Sequence, residues 1–245
     1  MSFAPVTLAG RTPGASLLLT CEHASPAVPP EYDNLGLAAA ALRDHIGWDI
    51  GAATVAEELS RQLRAPAVLS AASRLLVDCN RDVTDTDLMP QESHGVPIPG
   101  NASIDPAERG ERLRRFYEPY HAAVDAAVRA HPDVLLLSIH SFTPELNGQR
   151  RPFDVGVLFD AYEDLATTLA AGVAAAGFAV RMNEPYSGLD GLIFSARVHG
   201  RRHDVRYLEL EVNNALLRRD DEARAVARRL VDAVARLVDP QAGDR

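Results

Sequence analysis

Two histidines in this chain follow short apolar runs. The run from Val134 to Ile139 delivers His140, then Ser141 and Thr143, before Pro144 stops the extension. The run Ser16–Cys21 delivers Glu22 and His23, and Pro26, Pro29 and Pro30 forbid a helix beyond it. Such runs read as buried strands. In open α/β sheets the carboxyl edge of the strands is where ligand chemistry sits. An imidazole there can ligate a metal, move a proton or pack. Candidate partners are Asp49, just ahead of a helical pattern, Arg81, after the run Leu75–Asp78, and Glu211, at the end of the alternating run Val205–Val212. Two imidazoles and a carboxylate suffice for a catalytic zinc that keeps one position open. A second carboxylate can take a proton from water and return it to a leaving amine. An arginine fits a substrate carboxylate through paired hydrogen bonds.

Each residue also has an ordinary role open to it. Asp49 stands where a side chain caps a helix or meets its dipole. His23 reads equally as a loop histidine, Arg81 as a salt-bridge partner and Glu211 as a solvated strand residue. Cys21, ending an apolar run, packs as a small buried group. Ser138 and Ser141 lack the G-x-S-x-G turn of a serine nucleophile, and the glycines lack dinucleotide spacing.

The elements that must position these residues follow from periodicity. Ser16–Cys21, Ala67–Ser70, Leu75–Asp78, Val134–His140, Asp154–Phe159, Phe178–Arg181 and Val205–Val212 read as strands. Ala52–Leu63, Pro106–His131, Tyr162–Ala176 and Asp220–Leu237 read as helices, and Ile193–His199 fits neither pattern. Thr84–Ser103, rich in Pro, Gly, Ser and Asn, reads as a long binding loop or lid. Alternating strands and helices predict an α/β fold, a mostly parallel sheet with helices on both faces. The 245 residues, 47% hydrophobic and 24% charged, suit one domain, with 1–15 and 238–245 as loosely attached ends. A net charge of −9 argues against a nucleic-acid surface but allows a locally basic pocket for an anionic small substrate. Two cysteines make no disulfide framework, and no run reaches a membrane span, so a soluble cytoplasmic protein is expected.

The chain resembles the N-formylglutamate amidohydrolase family. The resemblance is carried by Cys21-Glu-His-Ala-Ser, His45-Ile-Gly-Trp-Asp-Ile-Gly-Ala52, Ser73-Arg-Leu-Leu-Val-Asp-Cys-Asn-Arg81, Ile98-Pro-Gly-Asn101, Pro119-Tyr-His121, Ile139-His-Ser-Phe-Thr-Pro144, Arg151-Pro-Phe-Asp-Val-Gly-Val157, Asn183-Glu-Pro-Tyr-Ser187 and Glu211-Val-Asn-Asn-Ala-Leu216. It implies hydrolysis of N-formyl-L-glutamate to glutamate and formate, a step of histidine degradation. It also implies a distant likeness to zinc carboxypeptidases, aspartoacylases and zinc-dependent cell-wall amidases, and hence a single-domain, three-layer mixed sheet. The implied metal is one zinc ion on His23, His140 and Asp49, with Glu22 as the competing acidic ligand. Glu211 is the implied general base. Asn80 and Arg81 match the pair that holds a substrate carboxylate, with Arg74, Arg151 and Ser141 beside them. Two departures stand out. Many relatives carry Glu-Ile-Arg-Asn-Asp where this chain has Glu211-Val-Asn-Asn-Ala, and Pro26 occupies the place of the glutamate in a carboxypeptidase-type H-x-x-E.

Overall fold

Seven strands form one mixed sheet in the computed structural model, which describes residues 3–10, 14–146 and 148–239. In chain order they are β1 (Val6–Ala9), β2 (Leu17–Cys21), β3 (Ala67–Ser70), β4 (Leu135–Phe142), β5 (Val155–Leu158), β6 (Val180–Met182) and β7 (Tyr207–Asn213). Across the sheet the order is β1-β3-β2-β4-β7-β5-β6. The pairs β3–β2, β2–β4, β4–β7 and β5–β6 are parallel, whereas β1–β3 and β7–β5 are antiparallel. Besides one short turn of α-helix, Ala39–Leu42, the helices among the described residues are α1 (Ala52–Leu63), α2 (Pro106–Arg112), α3 (Glu118–Ala130), α4 (Glu163–Ala175), α5 (Phe194–His203) and α6 (Asp220–Ala235). A π turn, Leu113–Tyr117, joins α2 to α3.

The central strands are buried on both sides, and the period of two divides their residues between two cores. Leu17, Leu19, Leu135, Leu137, Ile139, Leu208, Leu210 and Val212 face α1, α4 and α6 in one core. Leu18, Leu136 and Tyr207 face α3 and α5 in the other. Toward the carboxyl ends of the strands this second face turns polar, with Thr20 on β2, Ser138 and His140 on β4, and Glu209 and Glu211 on β7 all buried. The α3–α5 side of the sheet is therefore sealed by apolar side chains at one end and carries ionisable groups at the other. Direct pairing of β4 with β7 sets Glu209 against Ser138 and Glu211 against His140.

Several elements differ from their sequence patterns. Leu75–Asp78 is not a strand. Ser73 accepts the Leu75 amide through Oγ, and the Leu76 amide bonds the Ser73 carbonyl, so the chain turns there. Leu75, Leu76 and Val77 are apolar because this turn inserts into the α3–α5 core, not because it pairs in a sheet. The amino-terminal residues 6–9 are not loose: they pair with β3 as an edge strand. Val238 packs on the core, while residues 240–245 lie outside the described residues, as do 1–2 and 11–13. The ambiguous stretch from Ile193 opens α5. Thr84–Ser103 contains a 3-10 turn, Thr86–Leu88, and a two-residue hairpin pairing Glu92–Ser93 with Val96–Pro97. It is anchored at its end by Asn101, whose amide donates to the carbonyls of Leu75 and Pro90 and whose oxygen accepts from buried Arg112 at 2.7 Å.

Gly156 on β5 lies beside Glu211 and admits no side chain. A Cβ there would stand 2.0 Å from the Glu184 carbonyl oxygen and 3.4 Å from the Glu211 Cβ. Gly156→Ala is expected to destabilise the fold by about 1–3 kcal/mol through overpacking. The check is a lower denaturant midpoint at unchanged slope.

Candidate metal and active site

A cavity of about 370 Å³ opens at the carboxyl ends of the parallel strands. His23, at the exit of β2, and His140, near the end of β4, meet at its floor with ring centroids 4.7 Å apart. Asp49, three residues ahead of α1, lies between them. Its Oδ2 is 2.8 Å from Nδ1 of His140 and 3.4 Å from Nδ1 of His23. One ligand atom from each of the three residues lies within 4.8 Å of the other two. The Asp49 side chain caps no helix; it accepts the Ser141 amide at 3.2 Å and an Arg74 guanidinium contact at 3.4 Å.

The outer nitrogen of each imidazole has its own carboxylate. Nε2 of His23 is 2.7 Å from Asp78, whose other oxygen accepts from Arg74 at 2.8 Å. Nε2 of His140 is 2.9 Å from Glu22. Glu22 also accepts from the Tyr120 hydroxyl and from Ser138 Oγ, each at 2.6 Å. Glu22 therefore stands behind His140, on the ring edge opposite Asp49. Carboxylates placed on the second nitrogen of a histidine fix the tautomer and orientation of a ligating ring. The donor set fits a zinc ion: two imidazoles and one carboxylate, with both Nδ1 atoms turned inward.

Burial and charge compete across this floor. Burial raises Glu22, but the hydrogen bonds from His140, Ser138 and Tyr120 outweigh it and hold the carboxyl well below the usual range. Burial also raises Asp78, and His23 and Arg74 overcome it in the same way. Burial lowers His140, but Glu209, Asp49 and Glu22 around it prevail and raise it well above the usual imidazole value. Glu209 is pushed up to about 7 by burial, and Glu211 is raised well above an ordinary carboxylate by burial together with Asp49 and Glu209. Oε2 of Glu211 is buried without a hydrogen-bond partner among the described residues.

The remaining candidates divide. Asn80, Arg81, Arg74 and Ser141 line the cavity. The Asn80 amide is oriented by the Ser195 N–H, which its oxygen accepts at 2.9 Å. Arg81 stands 3.6 Å from Asp85 and is partly exposed. Arg151 is outside the cavity wall, stacked 5.1 Å from the ring centroid of Tyr186, which does line it. The loop residues Asp87, Pro90, Glu92, Ser93 and His94 form one rim, where the His94 ring approaches His45 at 4.9 Å.

Sequence reasoning passed over Asp78, Glu209 and Tyr120. Glu209 had a signal, since two residues before Glu211 on an alternating strand is the same face. Asp78 was assigned to a strand end and given no partner. Tyr120 on α3 carries no sign in the sequence of the Glu22 carboxylate it reaches across the core.

An α/β sheet with ionisable groups gathered at the carboxyl ends of its parallel strands places a ligand site where such sheets carry theirs. The chain belongs to the N-formylglutamate amidohydrolase family, which it matches over residues 15–218, and so is an amidohydrolase. Among solved structures, the gene product Atu2144 from Agrobacterium tumefaciens is 34% identical with a TM-score of 0.91, over 96% of this chain and 95% of that one. N-formylglutamate amidohydrolase from Ralstonia eutropha JMP134 is 19% identical with a TM-score of 0.64, over 97% and 98%. A bacteriophage poly-gamma-glutamate hydrolase shares the fold at 10% identity and a TM-score of 0.50, over 96% and 90%. No curated protein matches the sequence. No helix among the described residues is long and apolar enough to cross a membrane.

The outer carboxylates give a first test. Asp78→Asn and Glu22→Gln are expected to weaken zinc binding by about 10–100-fold, the usual effect of losing an outer-shell partner. Competition against a chromophoric chelator measures it.

Proposed function

We propose that this chain is a zinc-dependent cytoplasmic hydrolase of the amide bond in a small N-acyl amino acid, N-formyl-L-glutamate first among them. The observation that carries the reading is the arrangement of His23 and His140, with Nδ1 atoms facing Asp49 and Nε2 atoms held by Asp78 and Glu22. In this reading His23, Asp49 and His140 hold the ion. A zinc ion, when bound, supplies a Lewis acid and makes water acidic enough to lose a proton near neutral pH.

The chain's own groups do the rest. Glu211, whose Oε2 has no hydrogen-bond partner among the described residues and which lines the cavity, takes the proton from the attacking water and returns it to the leaving nitrogen. Arg81 and Arg74 neutralise substrate carboxylate, and Asn80 and Ser141 offer hydrogen bonds to orient it. Arg151 acts one layer back, through Tyr186.

Asn213 and Ala215, where many relatives have arginine and aspartate, favour a second reading with a different acyl amino acid on the same scaffold. The Asn213 amide is committed to the Phe153 carbonyl and the Ala215 amide. Turnover of N-formylglutamate, N-formylaspartate and N-acetylglutamate, each followed by release of the free amine, separates the two. A kcat/KM for N-formylglutamate at least tenfold above the others supports the first reading. No turnover of any of the three by zinc-loaded protein overturns both.

A further inference from the structure

A second cluster of metal-ligand chemistry lies outside the cavity, between α3 and α5. His199 and His203 are one turn apart on α5, and His121 and Asp125 are one turn apart on α3, so each helix presents two polar side chains on one face. Oδ1 of Asp125 is 2.8 Å from Nδ1 of His199 and 2.8 Å from Nε2 of His203. One ligand atom from each of these three residues lies within 4.8 Å of the other two.

The outer contacts of this trio are also built. The second oxygen of Asp125 accepts from Arg202 at 2.8 Å, and the second nitrogen of His199 is 2.8 Å from His121 Nδ1. Partners on the far side of a carboxylate and of a ring are what fix ligands in a metal site. The His199 side chain is 0% exposed, while those of Asp125 and His203 are each 16% exposed. The trio is thus rooted in the interior and open to water on one side, which gives an ion a path in and room for solvent ligands. None of the three lines the catalytic cavity.

We propose that Asp125, His199 and His203 form a second divalent-metal site, which takes an ion of the zinc class and clips α5 to α3. Two imidazoles with one carboxylate suit zinc, nickel, cobalt or copper, and do not suit magnesium or calcium, which require oxygen ligands. The clip has a structural reach: α5 carries Ser195, whose amide orients Asn80 in the cavity wall. The ion holds the helix that holds Asn80, without touching substrate.

The test counts metal in untagged, full-length protein, stripped by chelator, reloaded with zinc and dialysed. Wild type is expected to retain two equivalents, and His203→Gln and Asp125→Asn one each. His23→Ala also retains one, and the His23→Ala/His203→Gln double variant none. Asp125→Asn serves as the second variant should His203→Gln fold poorly. Equal zinc content in wild type, His203→Gln and Asp125→Asn overturns the second site, leaving those side chains a hydrogen-bonded clamp only. Wild type with a single equivalent that survives His23→Ala and vanishes in His203→Gln supports the second site and overturns the zinc reading of the catalytic floor.

Discussion

Glu211→Gln is expected to lower kcat by about 10²–10⁴-fold, the range that a positioned general base contributes. The substitution keeps the size of the side chain and removes only its ability to take a proton. Glu211 is fixed by the pairing of β7 with β4, which sets it directly against His140, and by Gly156 of β5 on its other side. It makes no hydrogen bond through Oε2 that the fold depends on. The variant should therefore fold, melt close to wild type and carry zinc at full occupancy. Steady-state release of the free amine, with metal content measured on the same sample, checks all three. Undiminished turnover would remove Glu211 from the reaction and move the role of base to Glu209, the other raised carboxylate on the same face of β7.

The two histidines at the cavity floor are expected to fail differently. His23→Ala should lose the zinc of the cavity floor and activity yet keep its fold, because Asp78 retains Arg74 and the Asn80 backbone amide as partners. His140→Ala should lose the zinc of the cavity floor, activity and stability together. His140 stands among Glu22, Asp49 and Glu209, at 2.9, 2.8 and 3.6 Å. Removing it leaves three buried carboxylates facing one another, and breaking a buried ion pair from one side costs about 3–5 kcal/mol. Denaturant melts of the two variants beside chelator-stripped wild type read the difference. Full hydrolysis by the stripped wild type would sink the metal mechanism altogether.

The reach of the sequence can be judged residue by residue. Apolar runs that end in a histidine gave β2 and β4 correctly, because central parallel strands must be apolar on both faces and the polar residue marks where the face opens. The alternating run Val205–Val212 gave β7 by its period of two, with Glu209 and Glu211 on the face that opens into the cavity. Leu75–Val77 misled because burial, not pairing, is what apolar residues report, and a buried turn satisfies them equally. The helix ending at His203 was hidden by its composition: two adjacent arginines and two histidines leave little apolar periodicity. His23, Asp49, His140 and Glu211 could be named from residue type and position. What stands behind them could not. Glu22 looked like a ligand from its place next to His23, yet β2 alternation sends it to the far side of His140, where Tyr120 from α3 and Ser138 from β4 meet it. That encounter depends on how a helix packs across the sheet, which no local pattern encodes.

The π turn at Leu113–Tyr117 bears on that same carboxylate. A π turn holds one residue more than the α-helical turn it replaces, so it behaves as an insertion stored within a helix. Upstream of it, Arg112 anchors the Asn101 end of the cavity-rim loop, and downstream Tyr120 holds Glu22. The turn sets the rotational phase between these two duties. Had the extra residue been taken up as regular α-helix instead, one half would be rotated against the other by about 100°, the angle of a single residue. Either the loop anchor or the Tyr120 contact would then point away from its partner. The length of this short segment is therefore a coupling constant between the rim of the cavity and its floor, and its composition matters less than its count.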